Sequence, residues 1–351
     1  MSPVVRQQSG ILKKSGIPVV DYLIANTDKE QVANLIIKKY GAVGKISIPS
    51  ELNDKFVNSG RLLVKIQDGC LRFCTYCIVP YLRGKPKSRK IREIIKQINS
   101  GKNIKEVIFT VINTEAFGLD TKESFVKLLE STIFKTDVPR ISLGSINPWS
   151  LTEDFFAFYK KILPQKRLVN FFHIPLQSGS NKTLKLMNRG YTRDEFREKV
   201  NRIHDLNPMA FLATDVIVGF LDEIDRDFND TYAFLKDSTI SKFHVFRYSP
   251  REKTAAYLMS KNHINIDEVT KMRRAKILSD LGKKKYNSFL EKHVGKTFPA
   301  LFLVKKKEGY QEVLLDNQVP AWIKTSKDLS RKIYPVTITR LGNGLLFGVL
   351  A

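Results

Sequence analysis

The stretch GCLRFCTYCIVPYLRG, residues 69–84, holds Cys70, Cys74 and Cys77, which are all the cysteines in a chain of 351 residues. It follows RLLVKIQ (61–67), which reads as a strand, so the cysteines sit on the loop at a strand's carboxyl end. Five more apolar runs of strand length follow: EVIFTVI (106–112), RISLGSI (140–146), FFHIPL (171–176), ATDVIVGF (213–220) and FHVFRYS (243–249). Helix-like segments at 89–100, 122–133, 151–162, 180–187, 192–205 and 225–236 separate them. This alternation argues for βα units around a parallel sheet. Six repeats predict an α/β fold, an incomplete (β/α)6 barrel, with its chemistry on loops at the carboxyl ends of the strands.

Outward from this core, residues 1–58 carry a strand-like run, VVDYLIA (19–25), then NTDKEQVANLIIKKYG (26–41). There Asn26 or Thr27 caps a helix with Val32, Leu35 and Ile36 on its apolar face and Gly41 at its end. One strand and one helix are too little for a domain and read as the tail of an α/β unit. Beyond the repeats a basic helix is expected over 266–293. Val269, Met272, Leu278, Leu281 and Phe289 should face the barrel, with Lys271, Arg273, Arg274, Lys276 and the lysines at 283–285 outward. The last region, 294–351, gives four short strands with turn signals: TFPALFLVKK (297–306), YQEVLLDN (310–317), KIYPVTITRLGNG (332–344) and LLFGVLA (345–351). They predict a small β-barrel.

Composition narrows the partner. With 59 Lys and Arg against 35 Asp and Glu, the formal charge of +24 attracts polyanions, and nucleic acid leads. Drift in a lysine-rich proteome is the competing explanation. The longest apolar stretches, such as ATDVIVGFL (213–221), are shorter than a bilayer span, and no signal-peptide pattern opens the chain, so a cytoplasmic location is expected. Three cysteines within eight residues are no secreted disulfide framework.

Soft thiolates select zinc or iron-sulfur clusters, and a structural zinc wants four protein ligands. No histidine precedes His173, so a Cys3His zinc site would need a distant ligand, and the spacing departs from paired C-x2-C knuckles. A [4Fe-4S] cube on three cysteines leaves one iron for an exogenous ligand.

C-x3-C-x2-C with Tyr76 before the last cysteine resembles the radical S-adenosylmethionine (SAM) superfamily, in which SAM chelates that free iron. VKIQDGCLRFCTYCIVPYLRGKPKSR, FFHIPLQSGSNKTLKLMNRGYTRDEF, ATDVIVGF and FHVFRYSPREKTAA resemble, in order and spacing, the tRNA methylthiotransferases. The C-terminal barrel resembles their TRAM RNA-binding domain, and the likeness runs from about residue 17 to the end. KIQDGC and HVFRYSPR look most like the branch that modifies C2 of N6-threonylcarbamoyladenosine at position 37 of tRNA. The resemblance implies a remnant of an N-terminal methylthiotransferase domain at 1–58, a radical SAM core at 59–285 and a TRAM-like domain at 286–351.

It also implies one [4Fe-4S] cluster on Cys70, Cys74 and Cys77, SAM as cosubstrate, the tRNA anticodon stem-loop as substrate, an electron-donor protein and a sulfur source. Tyr76 is expected beside the SAM adenine. Asn113, Ser145, Gln177 and Asp215 lie at or just past strand ends and face the same mouth. Arg189 suits the SAM carboxylate or a phosphate. For RNA the candidates are Arg83, Lys85, Lys87, Arg89, Lys90 and Arg92, then Lys305 to Lys307, Lys324, Lys327, Arg331, Lys332 and Arg340 on the barrel. Tyr310, Trp322, Tyr334 and Phe347 are stacking or core aromatics.

Several departures from the family stand out. The family places a domain ahead of the barrel whose three further cysteines hold a second, auxiliary cluster and deliver sulfur; this sequence has none of them. A family glycine is Val111, a glutamate is Asn147, and two turns read GFLDEI (219–224) and YSPREKTAA (248–256). Three readings stand: a methylthiotransferase, a truncated or degenerate radical SAM protein that cleaves SAM without inserting sulfur, and a noncatalytic tRNA-binding protein.

Overall fold

A computed structural model describes residues 60–351; the strand and helix expected within 1–58 lie outside the described residues. Six parallel strands follow in sequence order: β1 (Arg61–Lys65), β4 (Glu106–Thr110), β5 (Arg140–Leu143), β6 (Phe171–His173), β7 (Phe211–Val218) and β8 (Lys242–Arg247). β1, β4 and β5 form one ladder and β6, β7 and β8 another. Ile141 of β5 bridges the two through Leu168, its amide donating to Arg167 O and its carbonyl accepting from Val169 N, both at 2.8 Å. The incomplete (β/α)6 barrel is thus present. Each strand stops two or three residues short of its apolar run, and the remainder bends into the mouth.

Helices α2 (Ile91–Ser100), α3 (Phe125–Lys135), α4 (Glu153–Ile162), α5 (Asn181–Leu186), α6 (Arg193–Leu206) and α7 (Asp225–Asp237) connect the strands; α1 (Val79–Arg83) is a single turn within the cysteine loop. Their starts follow from capping chemistry. The side chains of Ser124, Thr152 and Ser180 accept from the backbone N–H three residues on, and Thr192 with Glu195 closes a full capping box. In α2 the buried set Ile91, Ile94, Ile95 and Ile98 is a one-face stripe. These stripes meet Val64, Phe109, Ile141, Phe172, Leu212 and Val216 in one core.

After the short α8 (Ala255–Met259), the long basic helix α9 runs from Glu268 to Glu291 and corrects the expected facing. Val269 and Met272 are exposed, whereas Lys271 and Arg274 are buried. The barrel offers that part of the helix carboxylates. Arg274 donates to Glu223 Oε1 (2.9 Å) and Asp225 Oδ1 (2.8 Å), and Lys271 lies under Gly219 with its ammonium on Glu268. Leu278 and Phe289 face inward as expected.

The C-terminal region is a closed five-strand barrel in the order β10-β11-β13-β12-β9. β9 (Thr297–Lys307), β10 (Tyr310–Leu315), β12 (Ile333–Gly342) and β13 (Leu345–Leu350) match the reading, while β11 (Pro320–Lys324) went unforeseen. It is short and opens on a proline, a strand position where the missing N–H is tolerated.

The β10–β11 turn docks at the amino ends of the large barrel's strands. Asn170 N donates to Asp316 O (3.0 Å), Arg140 Nη2 to Leu315 O (2.9 Å) and Asn317 Nδ2 to Met209 O (2.9 Å). At the centre sits Glu106, fully buried, paired with Arg61 (3.3 Å) and Arg140 (3.4 Å) and accepting from Ser142 and Gln318. Among the described residues no helix is long and apolar enough to cross a membrane.

Removing one partner of a buried ion pair strands the other charge, which costs about 3–5 kcal/mol. Glu106→Ala should therefore lower the stability of the full chain by that amount in chemical denaturation, because Arg140 stays buried. A loss under about 1 kcal/mol would show that Glu106 does not fasten this joint.

Candidate active site

The cysteine loop has almost no regular structure of its own. A two-residue ladder, β2 (Gln67–Asp68) with β3 (Lys87–Ser88), pinches its base, and Cys70 N donates to Gly84 O (3.1 Å). Gly69 sits there at φ +81°, and a Cβ on it would lie 2.3 Å from the Lys85 carbonyl oxygen, so no other residue fits. The buried Gln67 ties the loop to the end of β4. Its Nε2 donates to Gly69 O (2.8 Å) while its Oε1 accepts from Asn113 N (3.1 Å).

The far side of the loop is held by segments over 100 residues away in sequence. Thr75 N donates to Met187 O (3.1 Å), its Oγ1 to Leu186 O (2.9 Å), and Ala256 N donates to Thr75 O (2.7 Å). Cys74 is buried, Cys70 and Cys77 half-buried. Cys70 Sγ accepts from Arg72 N (3.4 Å) and faces Asn113 Nδ2 at 3.8 Å. Cys74 Sγ accepts from Arg189 Nη1 (3.3 Å). Burial pushes the Cys77 thiol up, and Cys74 and Cys70 add to the push. Three thiolates here repel one another unless a cationic centre binds them all.

The three cysteines of the described residues all stand on this one loop. They suit a polynuclear cluster, in which three thiolates leave one iron for an exogenous ligand.

Around the thiols the expected residues take definite places. Tyr76 lies edge-on to Phe220 (centroids 6.5 Å) with its Oη 3.2 Å from Arg189 Nη1, and burial holds its phenol protonated. A cavity of about 320 Å³ opens beside it, lined by Tyr76, Cys77, Val79, Gln177, Asp215 and Tyr248. Gln177 stands at φ +76°, a left-handed conformation rare for a residue with a side chain. Its N–H donates to Asp215 O (2.8 Å) and its carbonyl accepts from Ile217 N (2.9 Å). Asn113 is buried at Cys70, and Ser145 Oγ lies 2.7 Å from His173 Nδ1.

Arg189 is buried beside the thiols and does not line that cavity. Nη1 reaches Cys74, Nη2 donates to Pro175 O (3.1 Å) and Nε to Tyr191 Oη (2.9 Å), with the Trp149 ring 4.7 Å below. The departures from the family pattern have structural employment. Asn147 Oδ1 accepts from Thr114 N (3.0 Å), Val111 packs on the core, and Asp222 in GFLDEI accepts from Ile264 N (2.7 Å).

Of the basic residues after the loop, Arg83, Lys85, Lys87, Lys90 and Arg92 are exposed, Arg83 beside Asp68 (3.0 Å). Arg89 is half-buried, donating to Lys65 O (3.2 Å) and Gln97 Oε1 (2.7 Å). On the small barrel Lys324, Lys327, Arg331 and Lys332 are exposed. Its four named aromatics stay outside the buried core. Trp322 and Phe347 are paired across β11 and β13, with Lys305 Nζ 5.2 Å over the first ring and Arg340 Cζ 3.9 Å over the second. Tyr310 abuts Phe347, and Tyr334 is exposed.

Sequence reasoning did not assign His173 and His244. Asp215 Oδ1 lies 2.9 Å from His173 Nε2 and 3.3 Å from His244 Nδ1. Each histidine stands alone in an apolar run, and only the strand order brings the two together.

Comparison with known proteins agrees with this geometry. Residues 64–235 match the Radical SAM superfamily. The chain is 35% identical over 317 residues to threonylcarbamoyladenosine tRNA methylthiotransferase MtaB of Aquifex aeolicus, covering 84% of this chain and 76% of the relative. It is 34% identical over 346 residues to MtaB of Bacillus subtilis, covering 93% and 75%. To the tRNA-2-methylthio-N(6)-dimethylallyladenosine synthase of Pelotomaculum thermopropionicum it is 32% identical, covering 98% and 80%. Three thiols at the carboxyl mouth of a six-strand barrel, together with likeness of this extent, make the chain a member of the radical SAM tRNA methylthiotransferases, enzymes that work with a [4Fe-4S] cluster and SAM.

Proposed function

We propose that this chain methylthiolates C2 of N6-threonylcarbamoyladenosine at position 37 of tRNA, in the cytoplasm, with an electron-donor protein and a sulfur source as partners. One observation carries the reading: the cavity beside Cys77 is walled by Tyr76, Gln177 and Asp215, so a small ligand of the thiol-bound cluster meets a shaped surface. The MtaB relatives and the HVFRYSPR segment support this branch.

When bound, the cluster and SAM would supply one-electron reductive cleavage of SAM. The chain's own residues do the rest. Cys70, Cys74 and Cys77 hold the cluster; Tyr76, Asn113, Ser145, Gln177 and Asp215 shape the space for SAM and the flipped adenine, positioning both and keeping water out. Arg83, Lys85, Lys87, Lys90 and Arg92 grip phosphates near the mouth, and Arg89 stiffens the base of that segment. Lys324, Lys327, Arg331 and Lys332 grip on the small barrel, beside the cation-backed rings of Trp322 and Phe347.

Arg189 acts on the cluster, not on SAM. Reduction adds negative charge, and a buried guanidinium on the Cys74 sulfur favours the reduced form.

Anaerobic reconstitution with iron, sulfide, reductant, SAM and tRNA should yield 5'-deoxyadenosine and the methylthiolated nucleoside by mass spectrometry. Deoxyadenosine without modified tRNA would replace this reading with SAM cleavage alone, which the absence of any cysteine beyond the triad would favour. Neither product, with tRNA still bound, would mean a noncatalytic binder.

Arg189→Met should lower the midpoint potential of the cluster by about 60 mV or more in an EPR-monitored titration, tenfold in the reduction equilibrium. Arg189→Lys should recover part of the shift. An unchanged potential at equal iron loading would remove Arg189 from this role.

A further inference from the structure

We propose that His173, Asp215 and His244 form a second metal site, a mononuclear centre for a divalent transition ion such as zinc, on the wall of the mouth. Three neighbouring parallel strands present the ligands: His173 ends β6, and Asp215 and His244 are register partners on β7 and β8. Asp215 Oδ1 stands 2.9 Å from His173 Nε2 and 3.3 Å from His244 Nδ1, and the three donor atoms fall within 4.8 Å of one another. Bonds of about 2.0–2.1 Å to a common ion set neighbouring ligand atoms roughly 2.9–3.4 Å apart, so the side chains need little movement to coordinate.

The surroundings suit such a centre. Ser145 Oγ holds His173 Nδ1 at 2.7 Å, fixing the ring and leaving Nε2 for the ion, as outer partners of metal-bound histidines do. The rings of His173 and His244 lie 5.4 Å apart at 33°. Burial, then the neighbouring His173, keeps His244 on the neutral side, the form that ligates. Two imidazoles and a carboxylate are a donor set for zinc or iron(II), and three protein ligands leave positions for water or a substrate oxygen. Those positions have somewhere to open, because Asp215 also lines the cavity beside Cys77 and the His244 side chain is 45% exposed.

The site differs from the thiol triad in chemistry and place: no sulfur belongs to it, and its ligands come from strands, not from the cysteine loop. Without an ion the same atoms form a hydrogen-bonded His-Asp-His relay, which is the alternative the test must separate.

The holoprotein, reconstituted to constant iron content, is dialysed against micromolar zinc and its metals are counted by plasma mass spectrometry. We expect one zinc per chain, falling below 0.2 in the His173→Ala/His244→Ala variant at equal iron content, and a roughly 10- to 100-fold weaker affinity in Ser145→Ala. Zinc-edge X-ray absorption should show two imidazoles and no sulfur in the first coordination sphere. Zinc below 0.2 per chain in the unmodified holoprotein, zinc unchanged in the double variant, or sulfur in its coordination sphere would each overturn the site.

Discussion

The cysteine loop cannot hold itself. Between Gly69 and Ile78 it makes almost no repeating backbone hydrogen bonds, yet it must present three sulfurs in a fixed array. Its conformation is therefore imposed from outside: the β2–β3 pinch and Gln67 at the base, the 186–189 segment along one flank, and Ala256 at the tip. Most of these supports come from loops at the carboxyl ends of different strands. The barrel has to be complete before the thiols have a geometry at all, so the site is a property of the finished fold.

What could be read beforehand divides along the same line. The six βα repeats were legible because local signals agree: the isoleucine stripe of α2, the capping box at Thr192 and the apolar runs all specify the same elements. The cysteine spacing was legible because no other chemistry fits it well. Arg189 was noticed, but only tertiary structure shows its guanidinium on Cys74, Pro175 and Tyr191. His173 and His244 were missed for a related reason: 71 positions separate them, and a lone histidine in an apolar strand carries no sign of its neighbour. In α9 the hydrophobic pattern misled, because the buried Glu223 draws Arg274 inward, while the stem of Lys271 packs under Gly219 and its ammonium reaches the exposed Glu268.

The charge of +24 is accordingly not all available to a polyanion. Arg140, Arg189, Arg274 and Lys271 are buried in the architecture, and Arg89 and Lys285 spend their donors on backbone or side-chain acceptors. Many other cations stay exposed; those beside the cysteine loop and on the small barrel, Arg83 to Arg92 and Lys324 to Lys332, are only part of a basic surface that also includes the outer faces of the helices.

The joint around Glu106 has a geometric consequence. The small barrel is fastened to the amino ends of the strands while the thiols stand at the carboxyl ends, so the length of the strands separates the two, about 16 Å for the five residues of β4. A buried ionic joint keeps that offset rigid. Any ligand that meets both the thiols and the small barrel must therefore be at least as long as the strands between them.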